Sequence, residues 1–280
     1  QTASGTSPVD SANPSAATPD ACIRANRDLW DGWAELHVES DFYNVESFKA
    51  GRDTLDTVEI EGVGDVQGKA LLHLQCHFGL DTLSWARRGA RVTGVDFSEK
   101  AVAHARRLAH ELGIEARFLQ ADVTDTDGVL AQLSGEQFDV VFTSHGTIVW
   151  LPDLRPWART IAGALKPGGT FFIADAHPFT WMFDDESDKP SLRFNLSYKY
   201  FGQEAHRWEE KGSYAVPDAD FEGVSYSWQH TFEEIVSSLA EAGLVIVSLR
   251  EYPYLAWQWF SWMVKGDDGC YRLPEGLPEI

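Results

Sequence analysis

The chain has 280 residues, with 23 basic against 43 acidic side chains and a formal net charge of −20. So acidic a surface repels phosphate backbones and anionic lipid, which argues against nucleic acid or a membrane as partner. Cys22, Cys76 and Cys270 are few and widely spaced, there is no run of about 18 apolar residues, and no charged-then-apolar leader pattern, so a cytoplasmic protein without a disulfide framework is expected.

In chain order, residues 1–20 are mostly Ser, Ala, Thr and Pro and read as an unstructured tail. From Arg24 to His37 the residues Leu29, Trp30, Trp33, Ala34 and His37 share one helical face, and Phe42, Tyr43, Val45 and Phe48 follow. Residues 21–68 are therefore expected to form a helical cap lying over a cleft. Ala70–Leu74 is a short apolar run suited to a doubly buried strand, and Gln75–Gly79 is a tight loop. A helix over Leu80–Arg88, stopped by Gly89, and a second strand over Arg91–Val95 complete a βαβ half. Asp96 closes it, 17 residues past Gly79, near the roughly 20 expected of an acid that accepts ribose hydroxyls.

Ser98 caps a helix carrying Ala101, Ala105, Leu108 and Leu112 on one face, and Gly113 ends it. Strands follow at Ala116–Leu119, before Asp122, and at Phe138–Thr143, before Ser144 and His145; a helix starts at Asp153. The turn Lys166–Gly169 leads to a fifth strand, Thr170–Ala174. This alternation implies an α/β core over residues 69–176, a mainly parallel sheet with helices on both faces. From Asp175 the rhythm breaks, and residues 177–227 read as an antiparallel insertion with strands at Leu192–Phe201 and Ser213–Val216. In residues 228–280 α/β order resumes: a Thr231/Glu234 capping box, a helix, a strand at Leu244–Leu249, and a last strand within Asp267–Leu273.

Five features in register (the loop after strand one, the acids after strands two and three, the FDVV strand and the LKPGG turn) resemble the class I S-adenosylmethionine-dependent methyltransferases. The HLQCHFGLDT loop is similar to that of a bacterial small-molecule subgroup. The resemblance implies a Rossmann-like mixed seven-stranded sheet, the cofactor S-adenosylmethionine, and methyl transfer to oxygen or nitrogen of a small molecule. The chain departs from the family at the first loop, where acid-x-Gly-x-Gly-x-Gly is replaced by His73, Gln75, His77 and Gly79. Lacking two glycines, the loop must keep Gln75 and His77 at negative φ or bear strain.

Carried over by position, Gln75, Cys76, His77 and Gly79 would wrap the methionine moiety. Asp96 would accept the ribose hydroxyls, with Phe97 against the adenine; Asp122 would accept from the adenine amino group, with Val123 on the ring. Ser144 would lie beside the sulfonium, and Tyr43 would close over the cofactor. His145 and His177 follow strands at the carboxyl edge and are candidate general bases. Trp150, Trp181, Tyr200, Trp228, Tyr254 and Trp257 are candidates for a flat apolar pocket that takes an aromatic or heteroaromatic acceptor. His73, Cys76 and His77 do not make a convincing metal set, so no metal is expected. A nicotinamide-dependent dehydrogenase would need G-x-G-x-x-G, which QCHFGL lacks. A non-catalytic module that binds the same cofactor is the alternative reading.

Overall fold

In the computed structural model, which describes residues 17–182, 198–202 and 204–276, the apolar runs become the strands of one parallel sheet. These are β1 (Ala70–Leu74), β2 (Arg91–Asp96), β3 (Ala116–Gln120), β4 (Phe138–Ser144) and β5 (Leu165–Ala174), in the order β3-β2-β1-β4-β5. Every residue of β1 is buried, as a central strand covered on both faces requires. The order reverses between β1 and β4, which opens a crevice at the strands' carboxyl ends.

Helices α1 (Pro19–Val38), α2 (Val45–Lys49) and α3 (Thr57–Val63) precede the sheet; α4 (Leu80–Arg87), α5 (Glu99–Leu112), α6 (Thr126–Leu133) and α7 (Leu154–Ala164) connect its strands. One core cluster joins Leu72, Leu74 and Val141 to Trp157, Ile161 and Leu133 of α6 and α7. On the opposite face Leu71, Val140 and Phe142 pack with Trp85 of α4. The Ser98 side chain caps α5 and Gly113 ends it at φ 64. The LKPGG turn is a bulge: Phe138 pairs with Leu165 and Val140 with Thr170, so residues 166–169 are looped out, with Gly168 at φ 79.

Several expectations are corrected. Among the described residues the sheet has five strands, where seven were expected. Leu244–Leu249 forms no strand and has no strand partner among the described residues, and Val245 and Val247 are 82% and 86% exposed. Apolar alternation alone does not make a strand without a neighbouring edge to pair with. The antiparallel insertion exists as β6 (His206–Lys211) with β7 (Glu222–Ser227), not at the expected positions. Ser213–Val216 is a turn within that hairpin; of Leu192–Phe201, residues 192–197 lie outside the described residues and 198–201 form no strand. After α8 (Phe232–Glu241), the last strand shrinks to β9 (Tyr271–Arg272) paired with β8 (Val264–Lys265). Residues 1–16 of the expected tail also lie outside the described residues, and α1 starts at Pro19. Among the described residues no helix is long and apolar enough to cross a membrane.

Phe142 is fully buried on β4, stacked on Phe172 and edge-on to Trp85 and His73. Phe142→Ala should destabilise the fold by about 3–5 kcal/mol, the cost of an unfilled aromatic site. Urea unfolding measures this, and a loss under 1 kcal/mol would contradict the packing described.

Candidate active site

The loop between β1 and α4 takes the strained alternative. Gln75 and His77 sit at φ 58 and φ 49, the left-handed region, which costs a non-glycine residue about 1–3 kcal/mol each. Gly79 is required: it caps α4 at φ 86, and a Cβ there would stand 2.8 Å from the Phe118 ring. The loop is held from β2. The Asp96 carboxylate accepts from the His77 amide at 2.8 Å and from the Ser98 amide at 2.9 Å, and the Cys76 amide donates to Val95 O at 3.0 Å. Burial pushes the Asp96 carboxyl up to about 6 against those bonds. Burial likewise raises the Cys76 thiol. Gln75 donates through Nε2 to Thr147 O at 2.8 Å, while its Oε1 and the His77 Nδ1 are buried without a partner.

An aromatic roof covers this loop. His37 Nδ1 lies 3.0 Å from His77 Nε2, Trp30 stands 5.2 Å from the His77 ring and 5.3 Å from Trp150, and Tyr43 is 4.9 Å from Phe78. The hydroxyls of Tyr43 and Tyr214 hydrogen-bond to each other, and Tyr214 lies 4.7 Å from His37. Helix α1 carries Trp30 and His37 of the roof and is tied down along its middle. Asp31 accepts from the Ser98 hydroxyl at 2.6 Å, Asn26 exchanges two 2.7 Å bonds with the Tyr226 backbone, and Trp33 donates to Gly212 O at 2.9 Å. The aromatic stripe on α1 was visible in the sequence; the histidine pair beneath it was not, because His77 lies across the sheet edge.

The remaining predicted residues divide. Ser144 is buried at the end of β4, and Phe97 is half-buried beside Asp96. Asp122 accepts from the Thr124 amide and hydroxyl at 2.8 and 2.7 Å, a local turn, and Val123 is 4% exposed within the core. The six substrate candidates do not form one pocket. Trp150 belongs to the roof; Trp181 and Trp228 line a small cavity with Trp208 and Trp259. At ≈ 50 Å³ that cavity is far below the roughly 300–1,000 Å³ of ligand sites. The Tyr200 hydroxyl accepts from the Phe232 amide at the start of α8, Arg272 covers Tyr254, and Trp257 lies edge-on to His145 at 5.8 Å.

Neither candidate base has a free lone pair. His145, at φ 59, directs Nε2 towards Asp56 Oδ2 and Glu59 Oε1, both at 3.4 Å. Burial lowers its pKa, but the two carboxylates outweigh burial and push it up to about 10, so the ring is an imidazolium. His177 accepts from the Phe179 amide at Nδ1 and places Nε2 3.0 Å from Glu251. The strand-end turn that carries His145 is fixed by Asp175, which accepts from the Gly146, Thr147 and Ala176 amides. The weak metal set has separate partners: His73 meets Thr82 at 2.8 Å, His77 meets His37, and Cys76 Sγ contacts His77 O.

Residues 71–169 match the family of methyltransferase domains. That domain spans β1 to the start of β5, with the loop, Asp96, Asp122 and the β4 end inside it. The chain is 35% identical over 111 residues to the ubiquinone biosynthesis O-methyltransferase of Aeromonas salmonicida, covering 40% of this chain and 44% of that protein. With the enzyme of the same name from Cronobacter sakazakii it shares 36% over 114 residues, 41% of this chain and 45% of that one. The chain thus spans less than half the length of these curated relatives. A crystal structure of an S-adenosylmethionine-dependent methyltransferase from Mesorhizobium loti superposes with a TM-score of 0.50 at 22% identity, over 73% of this chain and 86% of that one. This establishes the α/β Rossmann-like fold.

Burial lowers His37 to about 3, whereas an unfolded chain protonates near 6.5. Below about pH 6.5 only the unfolded chain takes that proton, so this stability is complete at pH 7 and is lost as the pH falls towards 3. Between pH 7 and 5 the loss is about 2 kcal/mol. Urea midpoints should therefore fall less on acidification for His37→Gln than for the unmodified chain; equal falls would contradict the buried neutral pair.

Proposed function

We propose that the chain is an S-adenosylmethionine-dependent methyltransferase acting on a hydroxyl, or less favourably an amine, of a small aromatic or heteroaromatic molecule. The observation that carries this reading is Asp96. Its carboxylate ends β2, next to β1, and holds the strained loop, in which two buried polar atoms, Gln75 Oε1 and His77 Nδ1, lack partners. A loop held in strain with buried polar atoms that lack partners fits a ligand that carries an ammonium, a carboxylate and ribose hydroxyls.

In this reading Gln75, Cys76, His77 and Gly79 hold the methionine moiety, Asp96 holds the ribose, and Phe97, Asp122 and Val123 flank the adenine. When bound, the cofactor supplies a methyl carbon already activated by a sulfonium. The chain's own work is alignment and exclusion of water, for which the roof of Trp30, His37, Tyr43 and Tyr214 is suited. Ser144 borders the transfer site. His145 and His177, engaged as described, serve as positioning groups rather than proton acceptors. The oxygen acceptor is favoured because the curated relatives named above are O-methyltransferases. The scattered tryptophans leave the acceptor's contacts to the crevice between the roof and the β4 end.

A second reading, a binding module without turnover, draws on the glycine-poor loop. Transfer of labelled methyl to a hydroxylated aromatic separates the two.

Calorimetry should show S-adenosylhomocysteine binding one site per chain at pH 7.5, weakened by about 1.5–3 kcal/mol in Asp96→Ala, the scale of hydrogen bonds to a charged group. Unchanged affinity in that variant would contradict the placement.

A further inference from the structure

The N-terminus of α3 and the end of β4 build a second constellation, to which the methyl-transfer reading gives no chemistry beyond the positioning role of His145. Asp56 and Glu59 form a capping box: Asp56 Oδ1 accepts from the Glu59 amide at 2.9 Å and Glu59 Oε2 from the Asp56 amide at 2.8 Å. Each carboxylate therefore spends one oxygen on the helix start. The other two, Asp56 Oδ2 and Glu59 Oε1, converge on His145 Nε2, and the three atoms lie within 4.8 Å of one another.

Two features go beyond an acidic cluster. Glu59 is 1% exposed, yet Oε1, the oxygen aimed into the group, has no hydrogen-bond partner. The cation it faces, His145 at 3.4 Å, is too far for a good hydrogen bond, and a buried carboxylate oxygen without one is costly. The spacing is informative as well. Both carboxylate oxygens are 3.4 Å from Nε2, beyond the roughly 2.7–2.9 Å of a charge-assisted hydrogen bond. With Zn–N and Zn–O bonds of about 2.0–2.1 Å, the edge of a tetrahedron around zinc is about 3.4 Å.

We propose that Asp56, Glu59 and His145 bind one Zn²⁺ ion at the carboxyl edge of the sheet, with the fourth position open. One imidazole and two carboxylates suit this ion. Metal entry displaces the proton on Nε2 and meets the unmatched Glu59 oxygen. Asp81, at the start of α4, faces the group electrostatically and adds negative charge to it. The ligand set comes from two elements far apart in the sequence, which is why no metal spacing was legible there.

The test uses the full chain freed of metal with a chelator and needs no turnover, so it stands or falls apart from methyl transfer. Calorimetric titration with Zn²⁺ should give one ion per chain. Co²⁺ in its place should give the visible bands of a tetrahedral nitrogen–oxygen site without a thiolate charge-transfer band. Glu59→Gln, which can still accept the capping bond, and His145→Gln should each weaken binding at least tenfold, with the fold checked by circular dichroism. Should one variant misfold, the other and Asp56→Asn decide. Absence of Zn²⁺ binding by the unmodified chain, equal binding by the folded variants, or a thiolate band from the cysteines would each overturn the proposal.

Discussion

The structure depends on one carboxylate. Asp96 accepts two backbone amides, one from the β1 loop and one from the residue that caps α5, and so joins two connections that diverge from neighbouring strands. Where glycines would let the loop turn freely, this chain places Gln75 and His77 in left-handed backbone. Strain of about 1–3 kcal/mol per residue is partly offset by the bond from the His77 amide to this charged acceptor, worth about 1.5–3 kcal/mol. The gain is chemical: two side chains with polar atoms stand where glycine would present backbone alone.

Holding that carboxylate dry has consequences around it. Asp96 is 7% exposed because α1, carrying Trp30 and His37, closes over the loop, and α1 is in turn bonded to α5 through Asp31 and to the β6–β7 hairpin through Asn26. Core, roof and hairpin are thus one mechanical unit. A ligand reaching Asp96 has to part the roof from the strand ends, which couples binding at the edge to the position of α1. Low dielectric under the roof also explains the opposite shifts of its groups: burial raises Asp96 and lowers His37 and His77, each towards its neutral form.

The central fold was legible because its signals are local. Continuous apolar runs such as Ala70–Leu74 and Phe138–Thr143 specify doubly buried strands, and Ser98, Gly113 and the Thr231/Glu234 pair mark helix ends irrespective of tertiary context. What depends on partners was not. Leu244–Leu249 has strand composition but pairs with no edge among the described residues, and the hairpin formed at His206–Lys211 and Glu222–Ser227, where polar residues mask the alternation. α6 was hidden by Thr126, Asp127 and Gly128 in its first turn. At the site, the strand-end residues were chosen by position, whereas the six proposed aromatics were chosen by type and scatter over the molecule. Asp56 and Glu59 start α3, and their meeting with His145 depends on where β4 ends, which no local signal in the sequence carries.

The most direct measurement of the central claim is a crystal structure of the chain with S-adenosylhomocysteine. The account predicts the ribose on Asp96, the amino-acid end against Gln75 and His77, and Trp30 and Tyr214 moved outward to admit it. An unaltered edge, with the roof closed on the loop and the ligand absent or bound elsewhere, would contradict it.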